Sequence, residues 1–183
     1  GDDTTIATVK IVSRKNVCLY SGPPMDKSCD ERLVTEFMIP EGKKIVCGGS
    51  SANIVSRVLK QPLMPSIEYS DPEIPPTATI AGIDLVTEGV ITLKRTVDIL
   101  KSYVENPTGK EVLASLDLKN GASQIAKMLI EDCTHLYLYI GQSINPAHQN
   151  PDLPFDLSIK MIILDELYSL MIKLGKVVKR YYY

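Results

Sequence analysis

Tryptophan is missing from this 183-residue chain, and histidine and phenylalanine each occur only twice. His135 and His148 are thus the only imidazoles available for acid–base or metal chemistry. The four cysteines, Cys18, Cys29, Cys47 and Cys133, make no CxxC pair and no metal-ligand spacing with either histidine. Cys18 and Cys47 lie in apolar runs, where a free thiol behaves as a small hydrophobe, so reduced cytosolic thiols are expected. There is no basic excess, since 20 Lys and Arg face 22 Asp and Glu for a net charge of -2. With no RNP-like or helix-turn-helix signature either, nucleic acid is not an expected partner. No apolar run is long enough to cross a bilayer and no signal peptide opens the chain, so no membrane partner and a cytoplasmic location are expected. A P-loop, a GxGxxG run, a serine nucleophile elbow and a complete acid–base pair are also missing.

What remains is an ordinary globular composition, 44% hydrophobic and 23% charged, in a length that suits one domain with a sizeable core. Thr5 to Val12 alternates loosely and reads as a strand, interrupted by Ser13 to Asn16. Val17 to Tyr20 is a short apolar strand stopped by Ser21-Gly22-Pro23-Pro24, and Asp26 is placed to cap a helix with Leu33, Val34, Phe37 and Met38 on its apolar stripe. Ile45-Val46-Cys47, Gly48-Gly49-Ser50-Ser51 and Ala52 to Leu59 read as strand, glycine turn and helix, half of a βαβ unit.

A proline-rich stretch from Pro62 to Pro76 leaves room for one edge strand at Ser66 to Tyr69. The alternation then resumes. A strand at Ile83 to Val86 is followed by the turn Thr87-Glu88-Gly89 and a helix from Val90 to Val104. A short helix near Glu111 to Leu116 and another from Ala122 to Cys133 precede a strand at Leu136 to Ile140, which ends at Gly141-Gln142-Ser143. Beyond the loop Asn145 to Pro151, Asp156 is placed to cap a helix from Ser158 to Leu174, Gly175 to close it, and Lys176 to Tyr183 to form a last strand. The expected fold is an α/β, three-layer Rossmann-like sandwich with a mainly parallel sheet.

Strand C-termini share one edge of a parallel sheet, so four turns should meet there: Ser21-Gly22, Gly48-Gly49-Ser50-Ser51, Thr87-Glu88-Gly89 and Gly141-Gln142-Ser143. Gly48 and Gly49 would let backbone N–H groups approach a ligand, Ser50 or Ser51 would cap the helix, and the helix end favours an anion. Glu88 is placed to hold a hydroxyl or a metal, or to stand as a solvated helix-start carboxylate. His148 lies in a polar loop that is a candidate cover for the crevice, and its alternative is simple exposure. His135 reads as structural. The helix from Ile159 to Leu174 is apolar on more than one face, which points to core or an oligomer contact.

Gly1-Asp2-Asp3-Thr4-Thr5-Ile6-Ala7-Thr8-Val9 resembles the last motif of PPM-type metal-dependent serine/threonine phosphatases, the group that includes the sporulation stage II protein E family. By that match Asp2 would be a Mn²⁺ or Mg²⁺ ligand and Thr5 the motif threonine. Lys44 to Ala52, Gly82 to Gly89 and Ile144 to Pro151 look like the C-terminal region of bacterial proteins of that group. The resemblance covers nearly the whole chain. It implies that residues 1–15 are the last strand of an otherwise absent phosphatase domain plus a linker, and that 16–183 form the domain after it. The upstream carboxylate motifs of the family are absent, so this stretch is expected to be inactive and free of cofactor, with metal implied only for the parent. The expected function is a regulatory or ligand-binding domain that takes a small anion at the strand-end crevice. The alternatives are a module that docks the phosphatase domain or a second copy, through the 159–174 helix or Tyr181-Tyr182-Tyr183, and an independent enzyme using Glu88 and His148.

Overall fold

A computed structural model describes residues 5–9, 11–66, 74–143 and 159–183. Among them the chain forms one sheet with strand order β3-β4-β5-β2-β1-β6-β7. The strands are β1 (Asn16–Ser21), β2 (Lys43–Cys47), β3 (Met64–Pro65), β4 (Ala78–Thr79), β5 (Leu85–Thr87), β6 (His135–Ile140) and β7 (Val177–Tyr182). β5, β2, β1, β6 and β7 are parallel, while the two-residue strands β3 and β4 run antiparallel at one edge. β1 lies at the centre of the parallel set and is covered on both faces, so Val17 to Tyr20 read as an unbroken apolar run.

The helices are α1 (Asp30–Met38), α2 (Gly49–Leu59), α3 (Val90–Glu105), α4 (Lys110–Leu116), α5 (Gly121–Glu131) and α6 (Ile159–Lys173). Among the parallel strands the chain steps outward from β1 to β2 to β5, visiting the edge strands β3 and β4 between the last two, then crosses back to lay β6 on the other side of β1. Right-handed crossovers therefore put α1 and α2 on one face and α3, α5 and α6 on the other. Two cores follow. Leu33, Val34, Phe37 and Val55 pack on Cys18, Tyr20 and Val46. Leu93, Val97, Ile125, Leu129, Leu164 and Leu167 pack on Leu19, Ile45 and Leu138.

Most local expectations hold. Asp26 accepts from Ser28 N at 2.8 Å, capping a 3₁₀ turn at Lys27–Cys29 that runs into α1. Gly175, at φ +72°, closes α6 with Gly175 N on Ile172 O and Lys176 N on Met171 O. Two expectations change. Residues 5–9, 11 and 12 lie in no strand, because nothing in the described sheet pairs with them; Ile6, Val9 and Ile11 stand 84%, 86% and 95% exposed. The proline-rich edge pairs at Met64–Pro65 rather than from Ser66, and 67–69 lie outside the described residues, as does Asp156. None of the described helices is long and apolar enough to cross a membrane.

Candidate functional site

The four turns do meet. Ser21 is in register with Cys47 on one side and Ile140 on the other, and Cys47 is in register with Thr87. The strands end level, so Gly22, Gly48, Glu88 and Gly141 stand in one row along the C-terminal edge of the sheet. The order of strands reverses between β1 and β6, the place where open α/β sheets bind ligands.

That reversal point is a closed seam. Gly141 N donates to Ser21 O at 3.0 Å, and a Cβ on Gly141 would overlap the backbone of Gly22 and Pro23. The space beside Gly22 holds the ammonium of Lys160, which donates to Gly141 O at 2.5 Å and Ser143 O at 3.4 Å. Ser21, Gly22 and Gly141 are therefore brought together, but as packing partners rather than as an open ligand cradle. Sequence reasoning missed Lys160. Its signal was a charge at the head of the core-facing stripe of α6, one turn before Ile163 and Leu164. It is half-buried, it has no carboxylate partner among the described residues, and burial pushes its pKa below the ordinary lysine value.

The other half of the row is open. Gly48, not Ser50 or Ser51, is the N-cap of α2, and no side chain caps it. The helix already begins at Gly49, which leaves both serines inside its first turn. Ser51 is wholly buried and its hydroxyl accepts from Gly22 N at 2.8 Å, tying the two halves together. Gly48 N is not free for a ligand either, since it donates to Thr87 O at 2.9 Å. The amides of Gly49, Ser50 and Ser51 meet no acceptor among the described residues, and a Cβ on Gly49 would find nothing within 4 Å. α3 repeats the pattern, with Gly89 as an uncapped N-cap. A Cβ on Gly89 would lie 3.4 Å from Gly48 Cα, so the two helix ends abut and their positive partial charges add.

Side chains around this opening sort into used and unused. Thr87 is buried, and its hydroxyl donates to its neighbour's carbonyl, Glu88 O, at 2.9 Å, so it faces inward rather than toward a ligand. Burial pushes the Cys47 thiol up to about 12, which keeps it protonated. Glu88 is half-buried between the ends of α2 and α3, with Oε2 buried and without a partner among the described residues. A cavity of about 530 Å³ lies between α3 and α6, lined by Val90, Ile91, Ile159, Ile162 and Ile163 and reaching the first turn of α3.

His148 and Asp2 lie outside the described residues, so no pairing of Glu88 with His148 is described. The described residues do not fit a Mn²⁺ or Mg²⁺ centre: no three of their His, Cys, Asp or Glu side chains gather closely enough to hold a metal, and Glu88 faces two positive helix ends. What the open half of the row can do is hold negative charge, through amides that meet no acceptor among the described residues and through two helix dipoles. No known family's sequence pattern matches this chain, and neither a curated protein nor a solved structure matches it.

Proposed function

We propose that this chain is the C-terminal regulatory domain of a bacterial PPM-type protein serine/threonine phosphatase, and that it binds a small anion at the C-terminal edge of its sheet. One observation carries the ligand part: two abutting, uncapped helix N-termini at Gly48 and Gly89 leave the amides of Gly49 and Ser50 with no acceptor among the described residues. A phosphate or carboxylate would take the free amides of Gly49 and Ser50 and gain from both dipoles. The phosphatase part rests on the resemblance of residues 1–9 and the later segments to that group. Support comes from the exposed, apolar and β-branched Ile6, Val9 and Ile11, which suit a strand but have no sheet partner among the described residues.

The test is thermal unfolding of the purified chain against phosphate, sulfate and small carboxylates. An anion at a hundredfold excess over its Kd adds about 2.7 kcal/mol, a midpoint rise of roughly 5–10 °C. Gly49→Val, whose Cβ has no atom within 4 Å, should keep the unliganded midpoint and lose the rise. A flat response to every anion sinks the ligand reading.

The same exposed arm favours a second reading, in which the domain docks its catalytic neighbour through residues 5–12. A chain lacking residues 1–12 should then unfold at the same midpoint yet fail to bind the separately expressed phosphatase domain. Retained binding would remove the arm from that role.

A further inference from the structure

The two side edges of the sheet are built differently. At one edge β3 and β4 are two residues long, and Pro65 lacks an N–H, so that edge offers little to another strand. At the other edge β7 runs for six residues in unbroken register with β6 and contains no proline. Val177 N donates to Thr134 O at 3.0 Å, and Tyr183 N to Ile140 O at 2.9 Å. By the period of two, the N–H and C=O groups of Val177, Lys179, Tyr181 and Tyr183 face β6, and those of Val178, Arg180 and Tyr182 face outward. β7 pairs with β6 alone in the described sheet, so the outward groups have no ladder partner among the described residues.

The side chains of β7 complement the same strand read backwards. An antiparallel pairing of two β7 strands about Arg180 sets Val178 against the partner's Tyr182 and Lys179 against the partner's Tyr181, and each contact occurs twice. Valine against tyrosine is a favourable cross-strand pair, and Lys179 meets an aromatic ring. Tyr139 of β6 stacks on the inner side of the Tyr181 ring at 5.0 Å, which leaves the outer side toward the edge. Arg180 would face its own copy, but its charge is already answered within the chain. Its guanidinium donates to Asp165 at 2.6 Å and lies 4.1 Å from the centre of the Tyr168 ring, held against α6. Ile172, one turn further along the same stripe of α6, is 46% exposed, and Tyr182 is 44% exposed. Both flank the edge, where a second copy would cover them.

Other registers are worse. An axis at Lys179 places two ammonium groups opposite each other at the closest pair, and an axis at Tyr181 leaves Val178 opposite no residue of β7. We propose that two copies of this chain associate through β7, antiparallel and with the two-fold axis at Arg180, joining their sheets into one.

Sedimentation equilibrium of the purified chain tests this. A single strand pair is a small interface, so a reversible dimer with a dissociation constant of about micromolar order is expected. Val178→Pro removes an outward N–H and no hydrogen bond to β6, so it should keep the far-UV spectrum and weaken association at least about tenfold. Cysteine cross-linking reads the register, in a Cys29→Ser background that removes the one native cysteine that is not buried. Residues on the axis form a hydrogen-bonded pair with Cα atoms about 5.5 Å apart, within disulfide reach. Mild oxidation should therefore link Arg180→Cys copies covalently. Lys179→Cys copies, with Cα atoms more than about 7 Å apart, should stay unlinked. A monomer at every concentration up to roughly 200 μM overturns the proposal. So does a dimer unaffected by Val178→Pro, which moves the contact to another surface. Should Val178→Pro fail to fold, the cysteines decide: a dimer that links through 179, or that fails to link through 180, refutes the pairing.

Discussion

The two halves of the strand-end row use glycine for opposite reasons. At the β1/β6 seam, Gly141 is required because another backbone passes where its Cβ would be. At the β2/β5 half, Gly49 has no atom near its missing Cβ, so packing does not require glycine there. A glycine demanded by sterics belongs to the fold, and a glycine facing empty space beside free amides is available to a ligand. The difference also separates two kinds of charge. Lys160 seals the seam by donating to carbonyls, while the open half has helix dipoles and Glu88, whose Oε2 has no partner among the described residues.

The largest expected effect would break the seam. Gly141→Ala should cost about 3 kcal/mol, because the atoms in its way are backbone and cannot swing aside. A fall of roughly 6–12 °C in the unfolding midpoint follows for a chain of this size. A loss below about 0.5 kcal/mol would mean the seam is not closely packed.

Within the open half the contrast sharpens between neighbours. Gly48 sits at φ +113° and has only ordinary contacts around it, so Gly48→Ala should cost about 1–3 kcal/mol through backbone strain alone. Gly49→Ala should be neutral or stabilising by up to about 1 kcal/mol, since it places a better helix former in α2 without a clash. Urea midpoints of the pair check this, and equal losses would refute the distinction.

Lys160 sharpens the electrostatic side. Its folded-state pKa is lowered by burial, so between that value and the ordinary 10.5 the unfolded chain binds more protons than the folded one. Stability therefore rises with pH through this window and levels off above 10.5. Lys160→Met lacks the rise. The stability of the wild type relative to the variant should grow as pH approaches 10.5, measured as paired urea midpoints. Lys43, Lys94 and Lys127 are shifted upward by their carboxylate partners and are common to both proteins, so they cancel in the difference.

The smallest effect lies at the far edge. Burial tends to raise the Asp84 pKa, but the hydrogen bonds from Lys43 and from Lys44 N outweigh it and lower it overall. Its contribution is present above the unfolded-state value and is lost as pH falls through the folded one. Because the pair is part-exposed, Asp84→Asn should cost no more than about 1 kcal/mol at neutral pH and nothing in acid. An unchanged difference across that range would remove the charge from the account.

Much of the edge was legible beforehand. Short apolar runs followed by glycine turns marked β1, β2, β5 and β6, and parallel pairing required their turns to converge. Ser51 was misread because an N-cap serine and a first-turn serine differ by only three residues in sequence. Which one it is depends on Gly22, 29 residues away. Thr5 to Val12 joins no strand of the described sheet because alternation signals the ability to form a strand, and pairing needs a neighbour.

The sequence by itself determined the elements, their alternation and the gathering of four turns at one end of a parallel sheet, because periodicity and turn chemistry are local. Only the tertiary structure decided that one half of the row closes while the other stays open. It also decided that Lys160 fills the seam and that Glu88 Oε2 is left without a partner among the described residues. Those outcomes depend on how closely distant backbones approach and on which side chains lose water there, and neither is written in any short stretch of residues.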